Sequence, residues 1–330
     1  MTRKLLAYFL AIAGSVAMLG IEEECHAQKP TDSRHISVVA PGFSTDSEEA
    51  KAFRDGLRAD GFVEGRNISI TWWFGDGMYT GVEAAVEKAI QDKSDVIVVE
   101  STVAALAAQR ATQTIPIVMA LVGDPEGVGL VESLAHPGGN ITGLTNMSAE
   151  LAAKRLQLLK EAVPSARRVG VIWNPDTPLH SIGLAYLKSV APRMQVELVA
   201  VTVRKVEQFG PAFSALTRGK VDALIVLDDP FMTNHGGAFV RLAKEGHLPL
   251  AYGWKPLVKE GVLISYSTYI PDLFRKAAGY VGKILKGASP ATLPVQQPTK
   301  FELVVNLREA KALGIVIPQS LLTQADEVVK

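Results

Sequence analysis

The sequence predicts an α/β protein made of two doubly wound parallel-sheet lobes joined by a multi-strand hinge, and three observations carry that expectation. Short β-rich runs alternate with amphipathic helical stretches nearly everywhere after residue 34, the pattern that places helices on both faces of a parallel sheet. The alternation breaks at "HPGGNITG" (136–143), where Pro and paired Gly interrupt helical periodicity, and then begins again. A chain of 330 residues, 48% apolar and 21% charged, is also long enough to bury two cores.

Each element has its own signal. "HISVVA" (35–40) reads as a first strand, and 48–60 as an amphipathic helix closed by Gly61. Strands "ISITWW" (68–73), "VIVVE" (96–100) and "IPIVMAL" (115–121) follow, with helices 82–93 and 103–112 between them. The run 136–143 reads as a crossover carried by a short strand-like segment, with Gly138 and Gly139 as a hinge. The second lobe opens with helix 149–163 and continues through strands 168–173 and 196–201, helix 206–217 and strand 223–227. After strand "LISYS" (263–267), helix 272–286 and the Pro-rich "ASPATLPVQQPTK" (288–300) suggest that the chain crosses between lobes more than once. No tandem repeat or low-complexity segment is present.

Charge and motifs exclude several classes of function. Lys plus Arg and Asp plus Glu both number 34, so no long-range field draws nucleic acid or an anionic membrane. The first residues have the parts of a secretory leader: Arg3 and Lys4, an apolar run from Leu5 to Ile21, and Cys25-His26-Ala27 suited to cleavage before Gln28. Residues 1–27 are therefore expected to be a signal peptide and the mature protein to be periplasmic, without cysteine and within one charge of neutral. Export removes most ATP- and NAD-dependent chemistry. The glycine-rich stretch "VGDPEGVGLVESLAHPGGNITGLT" (122–145) lacks both the P-loop and the dinucleotide spacing, so its first glycines read as turn and helix-entry residues. No H-E-x-x-H, C-x-x-C or G-x-S-x-G occurs, and no cofactor or metal set is implied. Carboxylates without a nucleophile or metal beside them disfavour an enzyme.

What remains is a set of loops after strand carboxyl ends, where open α/β sheets bind ligands. Ser101 and Thr102 stand between a strand and a helix start, either as an anion site or as an ordinary cap. Gly123 and Asp124 follow the fourth strand, where Asp124 either receives a ligand ammonium or shapes the turn before Pro125. In the second lobe Trp173 and Asn174 follow a strand, Trp173 as a stacking surface or as core. "LDDPFM" (227–232) brings Asp228, and "AYGW" (251–254) brings Tyr252 and Trp254. Tyr266 completes the second set, with Phe43 and Ser44 opposite in the first lobe. A cleft of Phe, Trp and Tyr with a few polar groups suits a small amphipathic ligand.

Four long stretches carry a resemblance: 122–145, "ELAAKRLQLLKEAVPSARRVGVIWNPDTP" (150–178), 272–315 and "IPQSLLTQADEVV" (317–329). From about His35 to the end the chain resembles substrate-binding proteins of ABC transporters with the type I periplasmic binding fold, the group that includes aromatic amino-acid binders. The resemblance implies a first lobe of 28–145 plus about 268–295, a second of 146–267 plus about 296–330, and hinge closure over a ligand. It further implies a monomer that docks on a membrane permease with its ATPase. Ligand positions carried over by matching are Ser101, Thr102, Gly123 and Asp124 in the first lobe and Asn174, Asp228 and Tyr266 in the second. Members commonly carry an Arg near "AYGW" and a Gly after the Tyr, where this chain has Trp254 and Ser267, so more aromatic surface points to an aromatic amino acid or aromatic carboxylate. A sensing module for a membrane receptor would share these features, as would an exported enzyme on the same scaffold.

Overall fold

The computed structural model describes residues 33–73 and 79–330; the expected leader lies outside the described residues. In chain order the first half holds β1 (Arg34–Val39), α1 (Glu48–Ala59), β2 (Ile68–Trp73), α2 (Tyr79–Gln91), β3 (Val96–Val99), α3 (Thr102–Ala111), β4 (Ile117–Val122) and β5 (Ile141–Thr145). The chain continues through α4 (Ser148–Ala162), β6 (Arg168–Trp173), α5 (Pro178–Val190), β7 (Glu197–Thr202), α6 (Phe209–Arg218) and β8 (Ala223–Val226). Then come α7 (Pro230–Asn234), α8 (Gly236–Glu245), β9 (Leu250–Tyr252), β10 (Ile264–Thr268), α9 (Ile270–Leu285), β11 (Phe301–Asn306), α10 (Leu307–Ala312), α11 (Gln319–Gln324) and β12 (Glu327–Val329).

The strands form two sheets. The first has order β2-β1-β3-β4-β5, all parallel; the second has order β12-β11-β10-β9-β8-β6-β7. Within the second, β7-β6-β8-β9-β10 repeats the parallel order of the first, and β11 then adds antiparallel to β10. Parallel strands covered on both faces must be apolar throughout, and all four residues of β3 and of β8 are buried. Each sheet accordingly carries two apolar clusters, around Phe53 and Phe274 and around Met119 in the first, around Leu156 and around Phe239 in the second.

The chain passes between the sheets three times, and the passing segments hydrogen-bond side by side. Thr145 N donates to Gln296 O at 3.0 Å, and Tyr269 N to Lys300 O at 3.1 Å. After the second passage α9 returns to pack along α1 in the first lobe, its buried face carrying Leu273, Phe274, Ala277 and Val281.

Two sequence expectations change here. The strand-like run before the first passage is β5, a full member of the first sheet rather than a crossover; Gly143, at φ +130°, sits where a Cβ would overlap the Met119 backbone, at a register shift between β4 and β5. No helix follows Gly127 and Gly129: residues 125–129 make turns, with Leu130 N returning to Pro125 O at 2.8 Å. Helix α5, helices α7 and α8 and strands β11 and β12 are elements that periodicity alone did not reveal, being short or mixed in pattern. Among the described residues no helix is long and apolar enough to cross a membrane.

Candidate functional site

The carboxyl ends of both sheets face one cavity of about 90 Å3 between the lobes. The first lobe lines it with Gly42, Phe43, Glu100, Ser101, Thr102 and Gly123; the second with Ser148, Arg155, Asp228, Asp229 and Trp254 among others. Outside lies a wider cleft of about 790 Å3, and Phe43 and Trp254 line both spaces. Their rings meet edge to face across the lobes, centroids 5.9 Å apart.

Helix α4 supplies the cation. Ser148 opens it and Arg155 follows seven residues later, two turns on and on the same face. Arg155 is 1% exposed, with Nε donating to Leu151 O at 3.3 Å and Nη2 paired with Asp228 Oδ2. Among the described residues its Nη1 has no hydrogen-bond partner, nor has the buried Oγ of Ser148. A buried guanidinium donor left unmade costs free energy, and the field at a helix N-terminus favours a further anion there.

Three carboxylates line the same cavity, and two are already satisfied. Asp228 accepts from Gly253 N at 3.1 Å as well as pairing with Arg155. Asp229 caps α7 through Met232 N at 2.6 Å and accepts from Thr177 Oγ1 at 3.0 Å. His180 supports both loops: its Nδ1 accepts from Asn174 N at 2.8 Å, which leaves the proton on Nε2 for Asp228 O at 3.1 Å. Glu100 differs. It is 5% exposed, it accepts one hydrogen bond from Gly42 N at 3.2 Å, and no ion pair among the described residues includes it. Burial pushes its carboxyl from 4.5 up to about 7, with the charge of Glu49 adding to the effect against that Gly42 hydrogen bond.

Of the sequence candidates, Phe43, Ser101, Thr102, Gly123, Asp228 and Trp254 line the inner cavity, and Ser44 lines only the outer cleft. Ser101 caps α3 through Ala104 N at 3.2 Å, while Thr102 Oγ1 accepts from Gly123 N at 3.1 Å and ties the start of α3 to the loop after β4. Gly123 presses against Leu179 of the second lobe so closely that a Cβ would overlap its methyls. The other candidates lie elsewhere. Asp124 shapes its turn by accepting from Gly127 N at 2.9 Å and faces a separate groove with Glu126 and Glu150. Trp173 packs on the second-lobe core, and Asn174 spends its Oδ1 on Asp176 N at 3.0 Å. Tyr252 is 1% exposed, its hydroxyl 3.2 Å from Thr233 Oγ1 and pushed well above its ordinary pKa by burial and the Asp228 charge. Tyr266 stacks on Phe301 away from the cavity. Glu100 and Arg155 were missed: one reads as the last residue of a strand, the other as a polar residue within a helix.

Comparison with known proteins adds a context. Residues 36–329 match the family described as ABC transporter substrate binding protein. A relative named tyrosine-binding protein, from Clostridioides difficile (strain R20291), is 29% identical over 325 residues, covering 95% of this chain and 93% of that one. The structure of an ABC domain in complex with L-Trp from Streptococcus pneumonia is 25% identical, covers 90% of this chain and 100% of that chain, and superposes with TM-score 0.82. A ligand-free, open substrate binding protein with adhesive properties from Clostridium difficile is 27% identical, covers 90% and 99%, and gives 0.67.

Proposed function

The chain belongs to the ABC transporter substrate binding protein family, and on that premise we propose that it captures an aromatic amino acid or a related aromatic carboxylate between its lobes. One observation carries this reading: the unpartnered Nη1 of buried Arg155 and the unpartnered Ser148 Oγ line one cavity whose apolar wall is Phe43, Leu121, Leu151, Leu179, Trp254 and Ile270. A carboxylate would complete the guanidinium with a charge-assisted hydrogen bond, and an aromatic body would fill the apolar walls. Relatives named for tyrosine and solved with L-Trp support the same class.

The inner cavity is smaller than the roughly 300 Å3 at which ligand pockets begin, so loading requires the lobes or the Phe43–Trp254 pair to part. The three passing segments, which lie side by side with the second in chain order running opposite to the other two, are the hinge for that motion, and the closed form is what a permease with its ATPase would receive. In this reading the protein is exported through its leader, acts as a periplasmic monomer and leaves the ligand chemically unchanged. Thermal shift of the purified protein against amino acids, aromatic acids, aliphatic acids, sugars and purines tests it. A true ligand at 100 times its dissociation constant stabilises by about 2.7 kcal/mol, which moves the midpoint by several degrees. A shift with sugars or purines and none with aromatic acids or amino acids would overturn it.

A further inference from the structure

We infer that Glu100 is the receptor for a ligand ammonium group and therefore the residue that makes this site select an α-amino acid over its deaminated acid. The inference rests on the reading of the cleft as a site for an aromatic carboxylate-bearing ligand. It follows from comparing the three carboxylates that share the cavity. Asp228 has Arg155 and the Gly253 amide; Asp229 has the Met232 amide and the Thr177 hydroxyl. Neither needs a further cation. Glu100 has one backbone amide and no cation, although it is as buried as Asp229. An anion removed from water without a countercharge is costly, and an incoming ammonium is the group that offsets the cost.

The placement also suits the shape of an amino acid. Glu100 directly follows β3 in the first lobe, while Arg155 and Ser148 stand on α4 in the second, and all three line the one cavity. A ligand carrying an ammonium and a carboxylate on one carbon then bridges the lobes, cation to one side and anion to the other. Closure would be coupled to the whole zwitterion rather than to either charge alone. The charged groups around Glu100 are Glu49 on α1 and, lining the cavity from the second lobe, Arg155, Asp228 and Asp229. With its carboxyl raised to about 7, Glu100 carries a proton in the ligand-free protein at mildly acid pH, and an arriving ammonium displaces it.

Calorimetric titration of the wild-type protein and of Glu100→Gln tests this with three sets of compounds. L-tyrosine, L-tryptophan and L-phenylalanine carry both groups; their propanoate analogues lack the ammonium; tyramine and tryptamine lack the carboxylate. Wild type is expected to bind its amino acid at least about 100-fold more tightly than the propanoate, because the propanoate leaves Glu100 unpaired. Its affinity for the amino acid should rise about tenfold per pH unit between pH 5 and 7 and level off above, with proton release visible in buffers of different ionisation enthalpy. Glu100→Gln should bring the two ligands within about tenfold of each other and abolish the slope. Equal binding of amino acid and propanoate by wild type would overturn the role of Glu100 while leaving the aromatic carboxylate reading intact. Discrimination unchanged in Glu100→Gln would do the same. Binding of none of the compounds would overturn both.

Discussion

Strands β3 and β8 hold the same place in their respective sheets, third along the repeated parallel order, yet the acidic residues at their carboxyl ends have opposite circumstances. Asp228, just past β8, is paired with Arg155 and a backbone amide. Glu100, just past β3, has a single amide and no cation. The difference shows that equivalent positions in a repeated architecture do not imply equivalent chemistry. One carboxylate completes the protein's own electrostatics, whereas the other is completed only from outside.

The largest test of that contrast is Arg155→Ala. With the guanidinium gone, Asp228 becomes the uncompensated carboxylate, and stability should drop by about 3 kcal/mol, the low end for breaking a buried pair because the Asp228 side chain keeps 23% exposure. Urea unfolding measures this, and an unchanged midpoint would mean the pair is not a structural one. Aromatic ligand affinity should be lost in the same variant.

Glu100→Gln should act in the reverse sense on the ligand-free protein. A carboxyl at about 7 when folded and about 4.5 when unfolded holds an extra proton only in the fold between those values. Stability from this group is therefore fully present below pH 4.5 and is lost as pH rises through 7, in total on the order of 3 kcal/mol. The wild-type minus variant difference, followed from pH 4 to 8 by thermal unfolding, should show that slope; a flat difference would place Glu100 alongside Asp228.

Gly123→Ala probes the approach of the lobes between these two strand ends. Gly123 is not in the left-handed region, so an added methyl tests space alone, and it meets first the Leu179 methyls across the cleft and then the Ser148 hydroxyl. Ligand affinity should fall about tenfold, or 1.4 kcal/mol, with partial recovery when Leu179→Ala is added, since the Ser148 hydroxyl stays in the way. The smallest effect is expected for Thr102→Val, which deprives the buried Gly123 amide of its acceptor and should cost about 1 kcal/mol of stability in denaturant titration.

How much of the site could be read in advance depended on the kind of residue. Phe43 and Trp254 were legible as candidates because loops after the strand ends of an α/β sheet are where ligands bind, and the two rings meet across the cleft. Asp124 was not, because an acidic residue before Pro serves a turn and a binding site equally well, and here Gly127 N takes it. Tyr252 and Tyr266 have the same kind of address as Trp254, but one points its ring into the core and the other stacks on Phe301. Which way a side chain turns at the end of a strand depends on its neighbours in space. No local pattern records it.

By itself the sequence determined the alternation of strands and helices, the restart after the first lobe, and the strand-end loops from which Phe43 and Trp254 reach the cleft, because periodicity and loop chemistry are local properties of the chain. Only the tertiary structure decided that Arg155, from within a helix, would pair with Asp228, more than seventy residues later, and keep one donor free. Tertiary structure alone also left Glu100 buried without a cation. The reason is physical: the charge state and partners of a buried group follow from which distant segments exclude water around it, and that is a property of the assembled fold.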